Sequence, residues 1–165
     1  MAKPTKIVPR DGKNGIRFFV SDDGLEAYKI LANGIRVNVR ATPTTCPNSK
    51  VLNDARRKQR YLQFKDALGK SRNILVSHAV HLAWMGPIPE GYVVDHLNGI
   101  TTDNRAENLQ AITPAENRKR AKLLRIIRKC AETDNRPDLL PENRSRAELL
   151  DIFNNYEFTN PQNID

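Results

Sequence analysis

GPIPEGYVVDHLNGITTDNRAENLQAITPAEN, residues 86–117, decides how the chain folds. The β-branched run from Tyr92 to His96 predicts a short strand. Asn98-Gly99 predicts a turn, the polar stretch Thr101–Asn108 an ordered loop, and Leu109–Ile112 a return strand. Thr113-Pro114-Ala115-Glu116 then opens a helix, with Thr113 as N-cap, proline at the first helical position and a capping glutamate three residues on. The unit reads strand, loop, strand, helix.

This order has a chemical consequence. Asn117 falls in the first turn of the helix, where free backbone N–H groups and the helix dipole favour an anion such as phosphate. Asp95 and His96 end the preceding strand, and a ββ turn brings them against that helix start. A carboxylate, an amide oxygen and an imidazole beside an anion-binding end are what metal-assisted phosphodiester hydrolysis requires, with a neutral imidazole taking a proton from water. Successive strand residues point to opposite faces, so Asp95 and His96 share one site only if the strand ends or bulges there. Asn98-Gly99 supplies that ending.

Outward from the unit, HAVHLAWMG (78–86) has the length of a two-turn helix stopped by Gly86-Pro87, with His78 and His81 on one face. The expectation for these two is packing for one and solvent for the other. Tyr61–Ser77 reads as a hairpin around LGKSR. Ala27–Arg40 reads as another, centred on Asn33-Gly34 as a type I′ turn, with Ile35, Val37 and Val39 alternating with polar residues. Between the hairpins, Ala41–Arg60 reads as a loop with a short helix.

The chain has 165 residues, enough for one ordinary domain and too few for a large multidomain enzyme. No apolar run approaches the roughly 18 residues of a membrane span, and the start MAKPTKIVPR lacks a signal-peptide core, so the expected protein is soluble and cytoplasmic. Cys46 and Cys130 form no CxxC, and a Cys46, His78, His81, Cys130 zinc set rests on composition alone. Charge is uneven: 27 Lys plus Arg stand against 19 Asp plus Glu, yet residues 131–165 hold only Arg136, Arg144 and Arg146 against eight acids. The remaining 130 residues therefore carry 24 bases and 11 acids, a balance of +13 against −5 for the tail. A positive body of this kind attracts a polyanion, and nucleic acid is the first partner to consider.

The segment Gly86–Asn117, with its PEGYVVDH, NG, TDNRAENL and TPAEN, resembles the HNH endonucleases of the ββα-metal class, especially the phage and mobile-element homing type. The resemblance implies an α+β fold: a β-hairpin N-terminal region, a ββα-metal nuclease core and a helical C-terminal tail. Carried over by position, His96 is the general base and Asp95 a metal ligand. Asn108, twelve residues after His96, is the central asparagine that braces the loop and orients the histidine. Asn117 falls where many members carry histidine, making an H-N-N variant in which Asn117 binds metal with Asp95. That departure argues for a hard cation, Mg2+ or Mn2+, over zinc. Asp103 and Asn104 are expected as turn formers. Arg105 either contacts phosphate or pairs with Glu107.

The helix after the motif carries an argument independent of family. At 100° per residue Arg118, Lys122, Arg125 and Lys129 fall within a roughly 60° stripe, opposite Leu123, Leu124, Ile127 and Ala131. The stripe is placed to follow a DNA backbone. The N-terminal hairpins add Arg17, Arg36, Arg40, Arg56, Arg57, Lys58 and Arg60, of which Arg36 and Arg40 are expected on DNA, and VSDDGLEAY (20–28) resembles small modules found beside such nucleases. The expected division is 1–72 for a DNA-contacting β region, 73–122 for the nuclease core and 123–165 for a helical, acidic extension. That tail, with ELLDIFNNYEF as a helix, packs on the body or mediates self-association; otherwise the chain is a monomer. The expected function is metal-dependent cleavage of double-stranded DNA. The competing readings are an inactive DNA-binding protein of the same fold and a basic RNA-binding module, although the latter lacks an aromatic stacking pattern.

Overall fold

The computed structural model of the chain describes residues 4–8, 17–31, 33–39, 42–43, 59–65, 68 and 70–156. Four N-terminal strands, β1 (Thr5–Val8), β2 (Arg17–Ser21), β3 (Ala27–Ile30) and β4 (Arg36–Asn38), form an antiparallel sheet in sequence order. A second antiparallel sheet joins β5 (Thr42–Pro43), β6 (Arg60–Lys65) and β7 (Ser71–Leu75). Helix α1 (Val76–Trp84) follows β7 directly. A third sheet pairs β8 (Val93–His96) with β9 (Leu109–Ile112), and α2 (Pro114–Thr133) and α3 (Arg146–Asn155) complete the described chain.

The hairpin over 61–77 matches its expectation, with Tyr61 opposite Leu75. The hairpin over 27–40 forms with a different turn. Leu31 N–H donates to Ile35 O and Gly34 N–H to Leu31 O, so three residues separate the paired positions, where a type I′ turn leaves two. Gly34, at φ +80°, supplies the left-handed position that closes such a loop. In the segment read as loop, Thr42–Pro43 pairs with Arg60 and Tyr61 as an edge strand, where a missing proline N–H is tolerated. The helix expected within 44–58, and Arg40, Arg56, Arg57 and Lys58, lie outside the described residues.

Helix α1 starts two residues earlier than its sequence suggests and has no side-chain N-cap. Burial explains the start: Val76, Ala79 and Val80 are at most 1% exposed, and each buried valine stabilises by roughly 1.5–3 kcal/mol, more than a cap supplies. They pack with Val8, Phe18 and Val20 of the first sheet, Leu62 and Ile74 of the second, and Leu109 of β9 in one core. The N-terminal strands and the 86–117 unit are thus bound by the same helix. Trp84 Nε1 also donates to Val20 O at 3.1 Å. His81 is buried with Nδ1 at 3.2 Å from Gly86 O, and His78 is half-buried.

At Gly24, φ +69° and a close approach coincide: a Cβ there would stand 2.6 Å from Val76 Cγ1 and 3.2 Å from Asn104 Cβ. The β2–β3 turn therefore presses on α1 and on the loop after β8 together, and Ala106 N–H donates to Asp22 O at 2.7 Å beside it.

Helix α2 runs unbroken across residues 122–123. Thr113 caps it, accepting from Glu116 N–H at 3.2 Å. The expected reciprocal bond is replaced, because the Glu116 carboxylate takes Arg120 at 2.6 Å, a charged donor one turn along. The described part of the acidic tail packs on the body. Its helix α3 carries a complete capping box from Ser145 and Glu148, buries Leu149, and ties Arg146 to the carbonyls of Glu107 and Leu109. No helix of the described residues is long and apolar enough to cross a membrane.

Candidate nuclease site

β8 runs from Val93 to His96 and then ends, because His96 O accepts from Gly99 N–H at 2.7 Å in the Asn98-Gly99 turn. Strand ending allows Asp95 and His96 to share a site despite strand alternation. Both line one cleft of about 540 Å³ together with Asn117, Arg125, Arg128 and Lys129 of α2. The unit predicted from sequence thus brings together the carboxylate, imidazole and amide assigned to it, with cations at the rim.

His96 is buried, and Nε2 lies 3.1 Å from Asn104 Oδ1. An amide oxygen only accepts, so Nε2 carries the proton and Nδ1 holds the lone pair. Burial lowers the His96 pKa, favouring the neutral ring that a base needs, and the Asn104 hydrogen bond and Asp103 charge oppose it. Asn108 does not hold the ring. Its Oδ1 accepts from Asn98 N–H at 3.0 Å, and its Nδ2 donates to Asn98 Oδ1 at 3.0 Å and Asp103 O at 2.8 Å. The bracing expected of Asn108 is present, whereas the contact orienting His96 comes from Asn104, expected only as a turn former. Asp103 is a turn former, accepting from Asn98 Nδ2 at 2.8 Å.

Asp95 is pushed up to about 6, foremost by burial, with Arg120 and the His96 backbone N–H pulling it back. Its Oδ2 is buried without a hydrogen-bond partner. A desolvated carboxylate with an unbonded oxygen suits a hard divalent cation, and Asn117, whose side chain carries an amide oxygen, lines the same cleft. Among the described residues no three His, Cys, Asp or Glu side chains converge as a metal cluster. Cys130 is exposed on α2, and Cys46 lies outside the described residues.

Of the cations, Arg118, Lys122, Arg125 and Lys129 are exposed while Leu123, Leu124 and Ala131 are buried, so the two faces of α2 separate as the sequence indicates. Arg125 and Lys129 reach the cleft. Arg105 instead spans Asp103 and Glu107 at 2.7–2.9 Å and lines other surfaces. Arg36 lies over the Tyr28 ring at 3.8 Å and lines, with Arg60, a groove other than the one that holds His96.

Two residues escaped the sequence reading. Arg128 donates to Asn98 O from α2 and closes on the Gly99 turn, and Arg120 is buried beside Asp95. Arg120 had a signal: at 100° per residue it falls in the middle of the apolar face of α2, where an unpaired arginine is not tolerated.

Residues 76–119 match the family model described as HNH endonuclease. This segment is similar to an HNH endonuclease domain. The match takes in α1, the β8–β9 pair and the start of α2, and includes Asp95, His96 and Asn117 of the cleft. No curated protein matches the chain. A solved structure described as "DNA binding and cleavage by the HNH homing endonuclease I-HmuI" has a similar fold, with TM-score 0.53 and 19% identity, covering 80% of this chain and 68% of that one. The likeness extends well beyond the HNH segment and thus includes flanking elements of the fold.

Proposed function

We propose that the protein is a metal-dependent endonuclease of double-stranded DNA, of the homing kind. The observation that carries this reading is the meeting of Asp95, His96 and Asn117 in one cleft with Arg125 and Lys129. His96 takes the proton of the attacking water at Nδ1, while Asn104 holds Nε2 and Asn108 fixes the loop beneath. Asp95 and Asn117 are the residues to hold Mg2+ or Mn2+. That ion, when bound, supplies positive charge to the scissile phosphate and the leaving oxygen. Arg118, Lys122, Arg125 and Lys129 contact the phosphate backbone leading away from the cut, and Arg36 and Arg40 are further DNA contacts. The DNA-binding and cleaving neighbour of similar fold supports DNA as partner. Supercoiled plasmid incubated with Mg2+ or Mn2+ is expected to be nicked or linearised by the wild type and untouched by His96→Ala. Equal activity of the two would refute the assignment, and tight binding without cleavage under either metal would favour an inactive DNA-binding protein.

A further inference from the structure

Arg120 is 6% exposed and reaches from α2 into the space behind Asp95. Its guanidinium has three fixed neighbours. Nη1 donates to Gln110 Oε1 at 2.9 Å, Nη2 donates to Glu116 Oε1 at 2.6 Å, and Cζ lies 4.7 Å from the ring centroid of Phe153 on α3. The fourth neighbour is Asp95, whose Oδ2 stands 3.8 Å from Nη1. Such a separation gives Coulombic attraction without a hydrogen bond, although a free arginine and carboxylate close to about 2.8 Å and often pair twice. Asp95 Oδ2 and Arg120 Nε are both buried with no hydrogen-bond partner, so each could satisfy the other if the guanidinium moved. Gln110, Glu116 and Phe153 occupy its donors and set its plane.

We propose that Arg120 is a positioning residue for Asp95: Gln110, Glu116 and Phe153 hold its guanidinium short of hydrogen bonding, so the carboxylate faces a positive charge yet keeps Oδ2 for a divalent cation. The inference rests on the reading of Asp95 as a cation ligand. It makes the acidic tail part of the nuclease site, because α3 supplies the platform under the guanidinium.

Phe153→Ala tests this without changing any charge. Mn2+ binding to the full chain, read as loss of the free-ion electron paramagnetic resonance signal, is expected to weaken about tenfold, because Arg120 then closes on Asp95 and a charge-assisted hydrogen bond must be broken. The Mn2+ concentration for half-maximal cleavage rises in step, while kcat at saturating Mn2+ and DNA affinity in EDTA stay put. Phe153→Leu, which keeps an apolar platform, falls between. In an Arg120→Met background Phe153→Ala has no further effect on Mn2+ binding. Unchanged Mn2+ binding in Phe153→Ala, or the same weakening in the Arg120→Met background, overturns the inference and leaves Asp95 as ligand. Unchanged Mn2+ binding in Asp95→Ala removes the ligand assignment itself, and the inference with it.

Discussion

His96 Nε2 and Asn104 Oδ1 meet in a buried hydrogen bond of 3.1 Å, and the Asn104 Cβ is in turn backed by Gly24 of the N-terminal sheet. The imidazole proposed as base is thus oriented by a residue of its own loop, and that loop is seated by a strand turn some eighty residues earlier in the chain. Asn104→Ala is expected to lower the single-turnover rate about 10- to 100-fold with DNA affinity unchanged, since the imidazole loses its fixed orientation. Asn104→Asp keeps an acceptor and adds a charge that favours the imidazolium, so its rate recovers in part and the acid limb of its pH profile moves to higher pH. An unmoved limb would leave Asn104 with a purely structural part.

The stripe on α2 predicts a salt effect. Replacing both Lys122 and Arg125 by glutamine is expected to reduce the slope of log K against log salt by about 1–2 for duplex DNA, measured in EDTA. Arg105→Gln should leave the slope alone, because that guanidinium is already spent on Asp103 and Glu107. A slope that responds to Arg105 and ignores α2 would move the DNA to another face.

Much of the site was legible because its determinants are local. Asn98-Gly99 ends the strand, Thr113-Pro114 starts the helix, and these two boundaries bring Asp95, His96 and Asn117 together. What was not legible depends on contacts distant in sequence. The start of α1 is set by burial of Val76 against two sheets, and the role of Asn104 by its fit between His96 and Gly24. The Asn33-Gly34 pair announced a hairpin correctly, yet its loop length followed from strand register, which the dipeptide alone does not encode. Arg120 was overlooked because a stripe sought among exposed cations passes over the one cation on the apolar face.

Asp95 makes stability depend on pH in a direction opposite to that of an ordinary paired carboxylate. Its pKa is raised in the fold from an ordinary 3.8 to about 6, so the folded chain holds this proton more firmly than the unfolded chain. Its ionisation therefore costs nothing below about pH 4, and the cost grows through the window up to about pH 6 and stays above it. A rise of that size corresponds to about 3 kcal/mol. Asp95→Asn is accordingly expected to be more stable than wild type at neutral pH in EDTA, by up to about 3 kcal/mol, and inactive. His96, lowered by burial, acts the other way and loses stability as pH falls below 6.5, which is why the difference between the two proteins is the quantity to follow by urea unfolding at several pH values. A difference that is flat from pH 4 to 7 would show that Asp95 is not desolvated.

Asn108 and His96 should separate folding from chemistry. Asn108 satisfies Asn98 N–H, Asn98 Oδ1 and Asp103 O at once, all within a loop that supplies both the turn after His96 and Asn104. Asn108→Ala leaves several of these groups without their partner, at roughly 1–3 kcal/mol for each that water cannot reach, so a total loss of about 2–4 kcal/mol is expected together with loss of cleavage. Asn108→Asp keeps the acceptor for Asn98 N–H and sets a carboxylate against two carbonyl oxygens, so it rescues neither property. His96→Ala, by contrast, abolishes cleavage while its thermal midpoint falls by much less. If the melts of Asn108→Ala and wild type coincide while cleavage is lost, Asn108 acts on the reaction directly and the loop is braced by Asp103 and Arg128 instead.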